Sequence, residues 1–138
     1  MSHYSKEDLI QTLADGSDLH EHFAFLDEML VKFQSDVENS TNGNIELAEL
    51  RLSELFSAFL AAKMALSIHA DLTHYEFTSF LSFFQKYYLV AKDFVSGDIG
   101  STERLKDEFS NVHGQYQQCV NPMLKDRYQD LKSQIEEN

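Results

Sequence analysis

Apolar residues recur along most of the chain at alternating steps of three and four, the spacing of one face of an α-helix. The longest such stripe contains Leu19, Phe23, Leu26, Leu30, Phe33 and Val37, and Phe25 and Met29 widen it. No segment shows the strict apolar and polar alternation that is typical of a half-buried strand. The pattern therefore predicts an all-α fold.

Capping and breaking residues divide this pattern into six predicted helices. They run from Ser5 to about Gly16, from Ser17 or Asp18 to the turn-forming run 39–44, from about Asn44 to Ala70, from Thr73 to about Ser96, from Ser101 or Thr102 to about Cys119, and from Asn121 onward. The connections between the long helices are short, which favours antiparallel neighbours. We expect one domain, residues 1–138, built as an up-down antiparallel bundle of four main helices with a short helix at each end.

Two of these boundaries depend on particular residues. Ser5 and Asp8 have the spacing of a capping box, which predicts a helix start. Pro122 is favoured at the first position of a helix, so we start the last helix at Asn121. A kinked continuation of the preceding helix across this proline is the alternative.

The segment from Leu55 to Ala70 is apolar on every side, and Lys63 is its only charged residue. A helix of this kind is expected in the interior of a bundle or in a membrane. A membrane span needs roughly 18 or more apolar residues, and this run is shorter. We therefore predict a central helix whose second half is buried all round.

The net charge of the chain says more about its possible partners than its amino-acid composition does. The net charge is −12, and residues 1–50 alone contain 11 acidic and 2 basic residues, a net of −9. This charge disfavours nucleic acid and anionic membranes and favours a basic protein partner, although a solvated acidic surface is the alternative. The polar N-terminal residues do not resemble a secretory signal, and the single Cys119 excludes an internal disulfide, so we expect a cytoplasmic protein.

Two surfaces are candidates for that partner. The acidic residues of the first two helices have few basic residues to pair with, and the fourth helix contains more aromatic residues than one core stripe needs, which is typical of an interface or a homodimer contact. The predicted partner-binding residues are Asp18, Glu21, Asp27, Glu28, Asp36, Phe83, Tyr87 and Tyr88. Reversing the charges at Asp27, Glu28 and Asp36 should then slow partner capture and leave thermal stability nearly unchanged. A purely structural aromatic core is the alternative for the fourth helix.

We find no phosphate-binding loop and no nucleophile or metalloprotease motif, so the predicted function is a small, non-catalytic protein-binding module without a cofactor: a regulator, inhibitor or adaptor. The alternative is a metal- or small-ligand-binding sensor. In an up-down bundle His20, His69, His74 and Cys119 would lie at one pole, where they could hold zinc or iron or respond to pH. The spacing argues against a metal, because no two of these residues are three or four positions apart on one helix.

Overall fold

The computed structural model describes residues 5–39, 45–69, 75–97 and 102–137, with the backbone alone for 45–47. The elements in chain order are α1 (Lys6–Asn39), α2 (Ile45–Ile68), α3 (Tyr75–Val95), α4 (Thr102–Gln115), a π-helical turn (Tyr116–Val120) and α5 (Asn121–Glu137). The described residues contain no strand. The all-α class predicted from the apolar pattern is therefore confirmed.

Helix α1 begins where the capping box predicted. The backbone N–H of Asp8 donates to Ser5 Oγ at 3.1 Å, and the N–H of Ser5 lies 3.4 Å from Asp8 Oδ2. The helix does not end near Gly16, however, so the prediction of a separate short N-terminal helix is wrong. A glycine inside a helix costs about 1 kcal/mol relative to alanine. Burial of Leu9 and Leu19 on either side of it outweighs that cost, since each buried leucine contributes about 1.5–3 kcal/mol.

The backbone is continuously helical from α4 through the π-helical turn into α5. Asn121 has helical dihedrals (φ −63°, ψ −47°), and its N–H bonds to the carbonyl of Tyr116, five residues earlier. Pro122 lacks an N–H, and its ring would crowd the carbonyl four residues before it in a regular α-helix. The wider π-helical turn directly before the proline accommodates both effects. The described backbone thus follows the alternative prediction, a continuation across the proline rather than a new start.

The ends of the helices are joined by specific contacts. Helix α1 packs against α2 and α5, and α3 packs against α4. The beginning of α1 meets the end of α2 through Asp18 and His69, while the end of α1 meets the beginning of α2 through Asp36 and Arg51. Ring contacts join the remaining helices: Phe23 with Phe77, Phe33 with Tyr87, Phe59 with Phe84, Phe80 with Tyr116, and Tyr87 with Phe109.

Helix α2 is not buried on all sides, so that prediction is wrong. Its inner face is in the core, including Leu55, Ala62 and Ala65. Its opposite face exposes five large apolar side chains: Leu50 (56%), Phe56 (38%), Leu60 (43%), Met64 (64%) and Ile68 (72%). The apolar pattern measures how hydrophobic a helix is, but it does not show how many neighbouring helices are present to cover it.

Candidate functional site: an acidic and aromatic face on α1

Three residues of α1 form an exposed surface that combines two carboxylates with an aromatic ring. Glu21 and Glu28 are exposed, as expected, and Phe25 lies between them with 49% of its surface exposed. Positions i, i+4 and i+7 fall on one side of a helix, so the phenyl ring is flanked by the two carboxylates. We call Glu21, Phe25 and Glu28 the acidic–aromatic face. Neither glutamate makes an ion pair within the part of the chain that the structure describes.

Asp27 is not part of that surface, contrary to the prediction. It is only 8% exposed, and its Oδ1 lies 2.9 Å from His113 Nδ1 on α4. Burial raises the pKa of Asp27, and the hydrogen bond and charge of His113 only partly oppose this effect. Burial, reinforced by the charge of Asp27, also raises the pKa of the nearby Tyr116 hydroxyl. We therefore expect a charge reversal at Asp27 to disturb the core, in contrast to the unchanged stability expected for an exposed residue.

Asp36 and Asp18 are partly exposed but already have cationic or imidazole partners. Asp36 Oδ2 lies 3.1 Å from Arg51 Nε, and Arg51 also reaches Glu54 at 3.2 Å. Asp18 Oδ2 lies 2.8 Å from His69 Nε2. A carboxylate that is paired within its own chain contributes less to the attraction of a partner than an unpaired one. Of the five predicted acidic residues, Glu21 and Glu28 are thus the two best placed for binding.

The fourth predicted helix is α3 in the structure. Its three predicted partner-binding aromatic residues are buried or partly buried against the core. Tyr87 is fully buried, and its hydroxyl donates to Gln34 Oε1 at 2.8 Å, so in this chain it is a core residue. Phe83 and Tyr88 are partly buried and pack against the core. Lys86 Nζ lies 5.6 Å from the centre of the Phe83 ring, which covers part of that ring. The two partly buried rings remain predicted contact residues of lower accessibility than Phe25.

Two of the histidines predicted to form a metal-binding pole, His20 and His69, each contact polar partners elsewhere in the chain. His69 lies between Asp18 and Asp15, whose carboxylate is 3.8 Å away. His20 Nε2 lies 3.3 Å from Asn121 Oδ1. His74 lies outside the described residues. Among those that are described, no three His, Cys, Asp or Glu side chains are grouped so that they could hold a metal ion. The zinc or iron site stays a prediction.

Cys119 is the remaining member of that set, and its surroundings disfavour the thiolate. Desolvation, together with the charge and hydrogen bonding of Glu76, raises the pKa of Cys119. Metal coordination and nucleophilic chemistry both use the thiolate, so this environment disfavours both.

Two features of the site were not predicted from the sequence. The apolar pattern places Phe25 on the stripe of its helix, although its spacing from Glu21 and Glu28 also places it among the acidic residues. His113 was not singled out, because its partner Asp27 is 86 residues away in the chain and only the fold brings them together. None of the described helices is both long and apolar enough to cross a membrane. Comparison of the chain with known protein families, characterised proteins and solved structures finds no match.

Proposed function

We propose that the protein is a small, acidic, non-catalytic protein-binding module, a regulator, inhibitor or adaptor, and that it binds a basic partner through the acidic–aromatic face of α1. The observation that supports this proposal most is the exposure of Phe25 between two carboxylates without ion pairs. An exposed phenyl ring at this position is a candidate for the buried anchor of an interface, since aromatic side chains dominate the binding energy of many interfaces.

The charge of the chain supports the choice of a basic partner. The net charge of −12 creates a long-range field that accelerates the encounter with a positively charged surface. At short range, Glu21 and Glu28 would accept hydrogen bonds from lysine or arginine side chains while Phe25 fills an apolar pocket. Charge of this kind mainly affects the association rate, whereas the buried ring mainly affects the dissociation rate.

Two finer expectations belong to the same proposal. We propose that α1 to α4 form an up-down antiparallel bundle, which the contacts between opposite ends of α1 and α2 support. We also keep the cytoplasmic location as a proposal. The free thiol of Cys119 supports it, since free thiols persist most readily in a reducing compartment.

In the test, wild type and variants are immobilised separately and exposed to the same cell extract. The proteins bound to each are then quantified by mass spectrometry and compared. Two variants alter the face: Glu21→Lys/Glu28→Lys and Phe25→Ala. The control, Glu103→Lys/Asp107→Lys, makes the same change in net charge at exposed positions of α4. We expect a basic protein that wild type and the control capture and that both face variants lose. If all four proteins capture the same set in the same amounts, the acidic–aromatic face is not a binding site.

A further inference from the structure

Helix α2 has an outer face that differs from the rest of the surface. It consists of the exposed residues Glu49, Leu50, Ser53, Phe56, Ser57, Leu60, Lys63, Met64, Ser67 and Ile68. Half of these side chains are large and apolar, and Met64 and Ile68 are among the most exposed apolar side chains in the described chain. A continuous apolar stripe of this kind on a folded chain usually marks a contact surface.

The size of this stripe matches the apolar part of a protein interface. Phe56, Leu60, Met64 and Ile68 together expose about 400 Å² of side-chain surface, estimated from their exposed fractions and typical side-chain areas. A standard interface buries about 800 Å² per partner, of which slightly more than half is apolar. The serines between the apolar residues are small, so a second helix could approach closely.

Charge identifies the occupant. Glu49 and Lys63 are the charged residues of the outer face, and its central part carries Lys63 alone, whereas the whole chain has a net charge of −12. A basic partner would find no electrostatic attraction here and would be drawn to other faces. A second copy of the chain would be repelled at its acidic faces, and this mostly uncharged face offers a contact with less repulsion. The patch therefore fits a second copy better than it fits a basic protein.

The exposed positions between Ser53 and Ser67 are arranged symmetrically about Leu60, although Ser57 falls opposite Lys63. Positions equally far from Leu60 on either side match: Phe56 corresponds to Met64, and Ser53 corresponds to Ser67. In an antiparallel pairing of two α2 helices around a two-fold axis at Leu60, each Phe56 would meet the other copy's Met64, and Leu60 would meet its counterpart. A two-fold interface requires this kind of self-complementary pattern. The segment from Ser53 to Ser67 would give a contact about 20 Å long.

We infer that the outer face of α2 is a homodimer interface in which two copies pair antiparallel around Leu60. This inference does not depend on the proposed partner of α1, because it uses a different helix and a different type of interaction. The sequence indicates an interface or a homodimer contact on the fourth predicted helix, which is α3 in the structure. The dimer contact inferred from the structure lies on α2 instead.

The test measures molar mass by sedimentation velocity over a range of protein concentrations. We expect wild type to be dimeric at high concentration. Leu60→Glu and Leu60→Lys should each be monomeric, with dimerisation weakened by about 100-fold or more, because each substitution places two like charges at the two-fold axis. An equimolar mixture of the two variants should form heterodimers, since opposite charges then meet. Leu60 is 43% exposed, so both variants should keep the helical circular dichroism of the fold, and their melting temperature should match that of wild type diluted until it is monomeric.

The control is Leu89→Glu on α3, which introduces the same residue at a leucine that is 62% exposed. This variant should remain dimeric. A monomeric wild type, or a dimer that tolerates both Leu60 substitutions, would overturn the inference. A mixture of the two variants that stays monomeric would overturn the pairing around Leu60. Salt separates this inference from the proposed function: screening should strengthen the dimer of acidic chains and weaken the capture of a basic partner.

Discussion

The buried hydrogen bond between Tyr87 and Gln34 joins α3 to α1 and is the basis of our most quantitative prediction. Tyr87 is fully buried and Gln34 is 3% exposed, and the hydroxyl lies 2.8 Å from Gln34 Oε1. Gln34 Nε2 in turn donates to Glu38 Oε1 at 3.2 Å, which orients the amide. Burial, together with the charge of Glu38, raises the pKa of Tyr87 well above its ordinary value, so the hydroxyl remains a donor across the accessible pH range.

Removing one partner leaves the other buried without its hydrogen bond, which costs about 1–3 kcal/mol. We therefore expect Tyr87→Phe and Gln34→Leu each to lower the free energy of unfolding by about 1–3 kcal/mol. The double variant replaces both polar groups by apolar ones, and this replacement can be nearly neutral. Its destabilisation should therefore be smaller than the sum of the two single effects by about 2 kcal/mol or more.

The assay is urea unfolding followed by circular dichroism, with the dependence on urea checked to be the same for all four proteins. Urea unfolding does not depend on partner binding, so the result tests only the hydrogen bond between Tyr87 and Gln34 in the core. Additive effects of the two substitutions would refute the reasoning, since they would show that the two side chains do not depend on each other. A Tyr87→Phe variant as stable as wild type would show that the hydroxyl is not buried against Gln34.

Two further predictions concern pH and helix capping. Because burial raises the native pKa of Asp27 above its unfolded value of 3.8, the native state binds more protons between these two values, and its stability falls as pH rises through that window. In pH-dependent urea titrations the stability of Asp27→Asn relative to wild type should therefore increase with pH and level off above the window; a flat difference for Asp27→Asn would contradict the buried placement. Ser5→Ala removes the cap of α1 and should cost about 1 kcal/mol of unfolding free energy, whereas Ser110→Ala in the middle of α4 should be nearly neutral; equal effects of the two serine substitutions would rule out the capping role.

Local signals in the sequence predicted the helices better than they predicted what the helices touch. The capping box at Ser5 marks the start of α1, because the two residues interact with each other and need no tertiary contact. The end predicted at Gly16 is wrong because the propensity of one glycine is smaller than the packing of the leucines around it. The proline at 122 allowed two interpretations, since the π-helical turn that keeps the helix continuous depends on the backbone rather than on a residue type.

For the candidate site, the sequence predicts even less well which residues are exposed and which are buried. The acidic excess of α1 is visible in the sequence, but the sequence does not distinguish Asp27, which a histidine on α4 holds in the core, from Glu28 beside it. The outer face of α2 could not be separated from its inner face, because both are apolar and only the number of neighbouring helices makes them different. Exposure of an apolar residue is a property of the fold, so the structure is needed to find it.

The central claim is that the acidic–aromatic face of α1 binds a basic partner. The most direct measurement is the association and dissociation kinetics of the captured protein with wild type, with Glu21→Lys/Glu28→Lys and with the charge-matched Glu103→Lys/Asp107→Lys, over a range of salt concentrations. We expect the α1 variant to associate more slowly than the control, and its association rate to depend less on salt. Equal rates and equal salt dependence for the two variants would contradict the central claim, because net charge alone would then explain the binding.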